Sequence, residues 1–260
     1  MTLAKHRLEN MRRLANISLL INSLNTIVGP VGSEELAKTD RGFKTLTIMA
    51  ATVRREYYGP DALSRVQRLQ TIYDKFACKN VRHVNYIYNK KGSTVYTKPR
   101  GLAVLPLSET ELIAAVGCVL EALEVIIPYF LLYAGDLTIV LFVKDMHAAP
   151  DPVFHRDIQW SHVIQQADHP LEWLLVDFDD ATCPSTIPAA NSDSECYAPP
   201  RFRDVHGAEV DIWAAGKLIT DAFEWIPGTS LELRDLGLRL QRQEVHSAKD
   251  ALILMRELSK

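Results

Sequence analysis

The chain has no Cys-x-x-Cys pair, no continuous apolar run in its first residues and no excess of positive charge. Its four cysteines, Cys78, Cys118, Cys183 and Cys196, are scattered without zinc-finger spacing. That distribution argues against a disulfide scaffold and predicts reduced thiols in an intracellular, cytoplasmic protein. The N-terminus, MTLAKHRLENMRRL, carries basic residues but lacks the apolar core of a secretory signal. A net charge of −3 gives no electrostatic reason to expect nucleic acid or an anionic membrane as partner. One long apolar run exists, VIIPYFLLYAGDLTIVLFV from Val125 to Val143. Its length is near the transmembrane threshold of about 18 residues. Asp136 at its centre would cost about 2.5–3.5 kcal/mol on insertion, and Pro128 and Gly135 weaken a helix there. A membrane-spanning role is therefore not expected.

What is present is ordinary for a globular protein: 260 residues, 47% hydrophobic and 23% charged, enough for one large domain or two small ones. Residues 5–28 show helical periodicity, ended by Gly29-Pro30, and a polar loop is expected from there to Gly42. Residues 43–58 alternate enough for one or two strands. Asp61 caps an expected helix running to about Cys78, with Leu63, Val66, Leu69, Ile72, Tyr73 and Phe76 as its apolar stripe. A hairpin follows, joined at Asn89-Lys90-Lys91-Gly92. Ser108 then opens another helix with a capping-box Glu111.

Four segments carry more specific information. They are His155-Arg156-Asp157-Ile158 followed by QWSHVI, then LLVDFDDA at 174–181, YAPPRF at 197–202 and GAEVDIWAAGKLI at 207–219. In this order and at these distances they resemble the catalytic loop, the D-F-G turn, the A-P-E motif and the following buried helix of the protein kinase-like superfamily. The wording HRDIQWSHVI, DFDDA and HGAEVDIW is most similar to the fungal-type protein kinases of mushroom-forming fungi.

The resemblance implies an α+β fold of two lobes. Residues 1–98 would form a truncated or degenerate N-lobe with an N-terminal helix, and residues 99–260 a mostly helical C-lobe. It also implies roles. Asp157 would be the catalytic base, and Asp177 would hold magnesium against the phosphates of ATP. His155 and Phe178 would pack between the lobes, Asp211 would hold the catalytic-loop backbone, and Trp213 would pack behind it. Arg55, or Arg54, stands about where the nucleotide-binding lysine is expected, with Lys44 a second candidate. Gln67 and Gln70 stand where that lysine's glutamate partner should be.

Several family positions are altered. The catalytic-loop lysine is Gln159, and the metal-binding asparagine is His162, which would make His162 a metal and cofactor ligand beside Asp177. A neutral imidazole favours softer ions than magnesium. The D-F-G glycine is Asp179. The A-P-E glutamate is Pro200, and its usual arginine partner falls on Val245, so both ends of that ion pair are missing together. No G-x-G-x-x-G occurs. These losses predict impaired handling of ATP and Mg in a degenerate kinase or pseudokinase that acts through a protein partner. The alternative is an active divergent serine/threonine kinase that transfers the ATP γ-phosphate to protein hydroxyls. A small-molecule phosphotransferase is a third reading, opposed by the A-P-P and D-I-W segments. Residues 127–143 interrupt the helix before H-R-D and read as an apolar insertion or a translated intron.

Overall fold

The computed structural model describes residues 35–40, 42–124, 126–133, 136–143, 152–166, 169–183 and 207–258. The helix expected over 5–28 and the YAPPRF segment with Pro200 lie outside the described residues. The alternating stretch 43–58 forms two strands, β2 (Lys44–Met49) and β3 (Val53–Tyr57). With β1 (Glu35–Asp40), β4 (Tyr86–Lys91) and β5 (Thr94–Lys98) they build an antiparallel five-stranded sheet in the order β1-β2-β3-β5-β4. Strand β1 falls in the stretch expected to be a polar loop. As an edge strand it needs main-chain pairing on one side only, so it carries no apolar alternation to betray it. The Asp40 carboxylate accepts from the Gly42 main-chain N–H at 2.9 Å and helps turn the chain into β2.

Helix α1 (Ala62–Lys79) buries Val66, Leu69, Ile72, Tyr73 and Phe76 as the periodicity requires. Leu63 departs from the expected stripe and is 65% exposed, because burial begins with Ala62 and Val66. Asp61 holds the N-cap position without a side-chain cap hydrogen bond, and Asn80 ends the helix in the left-handed conformation. The β4–β5 turn falls slightly later than expected, with Gly92 at φ 59°. In α2 (Glu109–Leu123) the Ser108 hydroxyl accepts from Glu111 N at 3.2 Å. Glu111 reaches back to Leu107 N at 2.7 Å, so the capping box is present in a shifted form.

Beyond α2 the apolar run is not a helix. It forms β6-independent pairing of its own: β6 is the short Gly101–Leu102, whereas β7 (Ile126–Tyr133) and β8 (Asp136–Val143) make a separate two-stranded sheet. Ile126 pairs with Val143 and Tyr133 with Asp136, so the two strands are antiparallel neighbours over their full length. Among the described residues, no helix is long and apolar enough to cross a membrane. A third sheet, in the order β10-β9-β6, joins β6 to β9 (Val163–Gln166) and β10 (His169–Leu175).

Helices α3 (Ala208–Ala222), α4 (Leu231–Gln241) and α5 (Ala248–Leu258) complete an α+β fold. One contiguous apolar core runs from Tyr57, Leu69 and Phe76 through Leu112, Trp173 and Phe178 to Ile219, Leu240 and Met255. The α3–α4 crossing is tight. A Cβ on Gly216 would lie 2.6 Å from the carbonyl oxygen of Gly237, whereas one on Gly117 in α2 would meet nothing within 4 Å. Gly216→Ala should therefore destabilise the protein by about 1–3 kcal/mol through overpacking. Gly117→Ala should stabilise it by about 0.5–1 kcal/mol through helix propensity. Urea denaturation of the two variants beside the parent checks both signs.

Candidate functional site

The register between β2 and β3 sets Lys44 opposite Tyr57 and Leu46 opposite Arg55, which places Lys44, Arg55 and Tyr57 on one face of the sheet. All three are buried, Lys44 and Arg55 each to 2% exposure. They converge on the turn after β10. Lys44 Nζ donates to Asp177 Oδ1 at 2.6 Å and also to Asp179 Oδ2. The Tyr57 hydroxyl donates to the other Asp179 oxygen at 2.6 Å, and Arg68 of α1 donates to the Asp179 carbonyl. The sheet, α1 and the Asp177 turn are thus joined by one polar cluster.

The turn is braced from the opposite side by the loop that holds Asp157. Asp211, fully buried in the first turn of α3, accepts from the main-chain N–H groups of His155 at 2.8 Å and Arg156 at 2.7 Å. Arg156 takes a left-handed φ of 70° in that tight loop. His155 accepts from Asp157 N at Nδ1 (3.2 Å) and donates from Nε2 to the Val176 carbonyl at 3.0 Å. That pattern needs a neutral ring, and burial pushes its pKa down accordingly. The imidazole packs 4.8 Å from the Phe178 ring, which in turn meets Phe76 edge-on at 4.7 Å and Tyr73 at 5.6 Å. An unbroken aromatic column therefore runs from α1 to the Asp157 loop. Trp213 is half-buried and packs on Val210.

Asp157, His162 and Asp177 come together. His162 Nδ1 lies 2.8 Å from the Asp157 carbonyl and 3.3 Å from its Oδ2, and Nε2 lies 3.3 Å from Asp177 Oδ2. Gln159 donates to Asp157 Oδ1 at 3.1 Å. The environments of the two carboxylates differ sharply. Burial would raise the Asp177 pKa, but Arg55, Lys44 and His162 overcome it and hold the group well below the usual carboxylate range. Asp157 is pushed up to about 6 by burial and by Asp180 and Asp177, against the opposing pull of His155 and the Gln159 hydrogen bond.

Arg55 belongs to the same neighbourhood. Burial works against its charge, but Tyr73, Asp177, Tyr57 and Asp179 raise its pKa above the ordinary arginine value. Its Nε and Nη1 have no hydrogen-bond partner among the described residues. Lys44, the second candidate on the sequence, is the cation that grips Asp177 directly. Tyr57 and Arg68 were not foreseen. The alternation of 43–58 could have found Tyr57, since a hairpin over that stretch sets it across from Lys44. Gln67 and Gln70 do not act as the expected partners: Gln70 donates to Asp74 on the exposed face of α1. Val245 is buried at 5% exposure.

The donor set is a poor fit for magnesium. That ion asks for oxygen ligands in near-ideal octahedral geometry. Here one Asp177 oxygen is taken by the Lys44 ammonium and the other faces a ring nitrogen of His162. Lys44 already supplies the positive charge between Asp177 and Asp179 that a cation would bring.

No family model matches the chain. Over 159 residues it is 31% identical to Crinkler effector protein 8 of Phytophthora infestans, a match that takes in 59% of this chain. The chain spans 23% of that relative's length.

Two outcomes follow from the charges. Lys44→Met leaves Asp177 and Asp179 without their shared ammonium and should cost about 3–5 kcal/mol in urea denaturation. Asp157 has a folded pKa above its unfolded value, so it binds its proton more tightly when folded, and its ionisation subtracts stability as pH rises from about 4 to about 6. Asp157→Asn should therefore melt higher than the parent at pH 7.5 and at nearly the same temperature at pH 4.

Proposed function

We propose that the chain is a protein-kinase-like domain of two lobes, a degenerate kinase or pseudokinase that works by binding a protein partner inside the cell. The observation that carries this reading is the Lys44 ammonium bridging Asp177 and Asp179. In a phosphotransferase of this kind the lysine and the metal-holding aspartate each serve the nucleotide phosphates. Here each serves the other. The Asp157 loop braced by Asp211 and the His155–Phe178–Phe76 column support the kinase-like part of the reading. Gln159 and His162, in place of a lysine and an asparagine, support the degenerate part.

The second reading, an active divergent serine/threonine kinase, draws on two observations. Asp157 remains in place with a carboxylate pushed up to about 6, suited to accept a hydroxyl proton. Arg55 keeps two nitrogens, Nε and Nη1, without a partner among the described residues, which would suit a phosphate, but at 2% exposure they are closed off until the Lys44 cluster opens.

Thermal melting with ATP and either magnesium or manganese separates the two. The degenerate reading expects no metal-dependent shift. A competent site at about 100 times its dissociation constant would gain roughly 2.7 kcal/mol, a shift of several degrees. Such a shift, absent from Asp177→Ala, or self-phosphorylation abolished by Asp157→Asn, would overturn the degenerate reading in favour of the second.

A further inference from the structure

Beside β10 lies a cavity of about 710 Å³, lined in part by Arg82, His83, Cys118, Glu121, Glu172 and Arg256. The ligating atoms of His83, Cys118 and Glu172 all lie within 4.8 Å of one another. His83 stands between α1 and β4 with a left-handed φ of 56°, and its side chain is 12% exposed. Its Nδ1 is 3.2 Å from Glu172 Oε2, and its Nε2 is 3.1 Å from Glu121 Oε2. Glu121 is fixed in turn by Arg82 at 2.6 Å and Arg256 at 3.2 Å. Cys118 lies three residues before Glu121 on α2, hence on the same helix face. Its sulfur accepts from Trp173 N at 3.5 Å and is a free thiol.

We infer that this cavity holds a zinc-type transition-metal site with His83, Cys118 and Glu172 as its ligands. Nitrogen, sulfur and one carboxylate make a set that selects zinc over magnesium or calcium. A tetrahedral zinc centre needs ligand atoms about 3.5 Å apart, given bonds of about 2.0–2.3 Å. The half-exposed Glu172 is free to swing and close the remaining gap. Glu121 takes a different part. It receives the second ring nitrogen of His83, the carboxylate–histidine arrangement that orients a metal-bound imidazole, and the two arginines keep it there. Three protein ligands leave a fourth position open to the cavity.

The site is placed to act on the cluster described above. His83 O accepts from Leu175 N at 2.8 Å, two residues before Asp177, and Val84 bridges to Leu175. A bound metal would tie the segment after α1 to α2 and to β10, the strand that leads into the Asp177 turn. The thiol of Cys118 must give up its proton on binding, so affinity falls at low pH.

The test uses the full chain, stripped with a chelator and titrated with Zn²⁺ alone, and with Co²⁺ as a spectroscopic probe. One equivalent should bind and raise the melting temperature. Cobalt should show a thiolate charge-transfer band and visible bands of tetrahedral intensity. Cys118→Ser should abolish the charge-transfer band, and Cys78→Ser should leave it intact. Glu121→Gln should weaken binding about 10–100-fold while the apo protein keeps its circular dichroism. Glu172→Gln, altered at an exposed position, should also weaken binding and stays readable if either other variant fails to fold. Substoichiometric zinc, a cobalt spectrum without the thiolate band, or unchanged affinity in Glu172→Gln would each overturn the inference.

Discussion

Everything around the candidate site depends on one buried ion cluster, the Lys44 ammonium held between Asp177 and Asp179. Taking three charges out of water is expensive, and the mutual attraction offsets that cost only when hydrogen bonds satisfy the remaining lone pairs. Tyr57 and His162 meet that need from two sides, with Arg68 anchoring the Asp179 main chain. The cluster therefore fixes three things at once: where β2 and β3 sit, how α1 lies across them, and which way the turn after β10 faces. The aromatic column of His155, Phe178, Phe76 and Tyr73 fixes the same turn by packing. Polar and apolar restraints agree on one geometry, which is what a uniquely folded region requires.

The same cluster governs the chemistry. Asp157 and Asp177 are two carboxylates whose surroundings push their pKa values in opposite directions, one up to about 6 and one well below the carboxylate range. Separation of this kind is what distinct acid and base roles would need. Yet the ionised partner is saturated by cations belonging to the protein itself. A site that neutralises its own charge has little electrostatic reason to recruit an outside cation, and the proposed loss of ATP and Mg handling rests on that point.

The fold was legible where its signals are local. The stripe over Val66, Leu69, Ile72, Tyr73 and Phe76 and the Ser108 cap announced two helices that are present. The strands over 43–58 and the hairpin after them were readable from alternation. Strand β1 was hidden because an edge needs no apolar pattern, and the run from Val125 to Val143, with 127–143 read as an apolar insertion or a translated intron, was given no strands because so dense an apolar stretch shows no clear period. The proximity of Asp157, His162 and Asp177 was legible in motif spacing. The rank order of Arg55 and Lys44 was not, since both face the carboxylates from adjacent strands and only the tertiary packing sets Lys44 in direct contact with them. The His83, Cys118 and Glu172 cluster left no trace in the chain order. Its members come from three elements far apart in sequence, and no short spacing could reveal them.

The most direct test of the ion cluster is a double-mutant cycle on Lys44→Met and Asp177→Asn, read by urea denaturation at neutral pH. Two residues that share a buried charge should be non-additive by about 0.5–3 kcal/mol, with the double variant recovering part of what each single change loses. Additive losses would mean that Lys44 and Asp177 do not depend on each other. The site would then not be locked by its own charges.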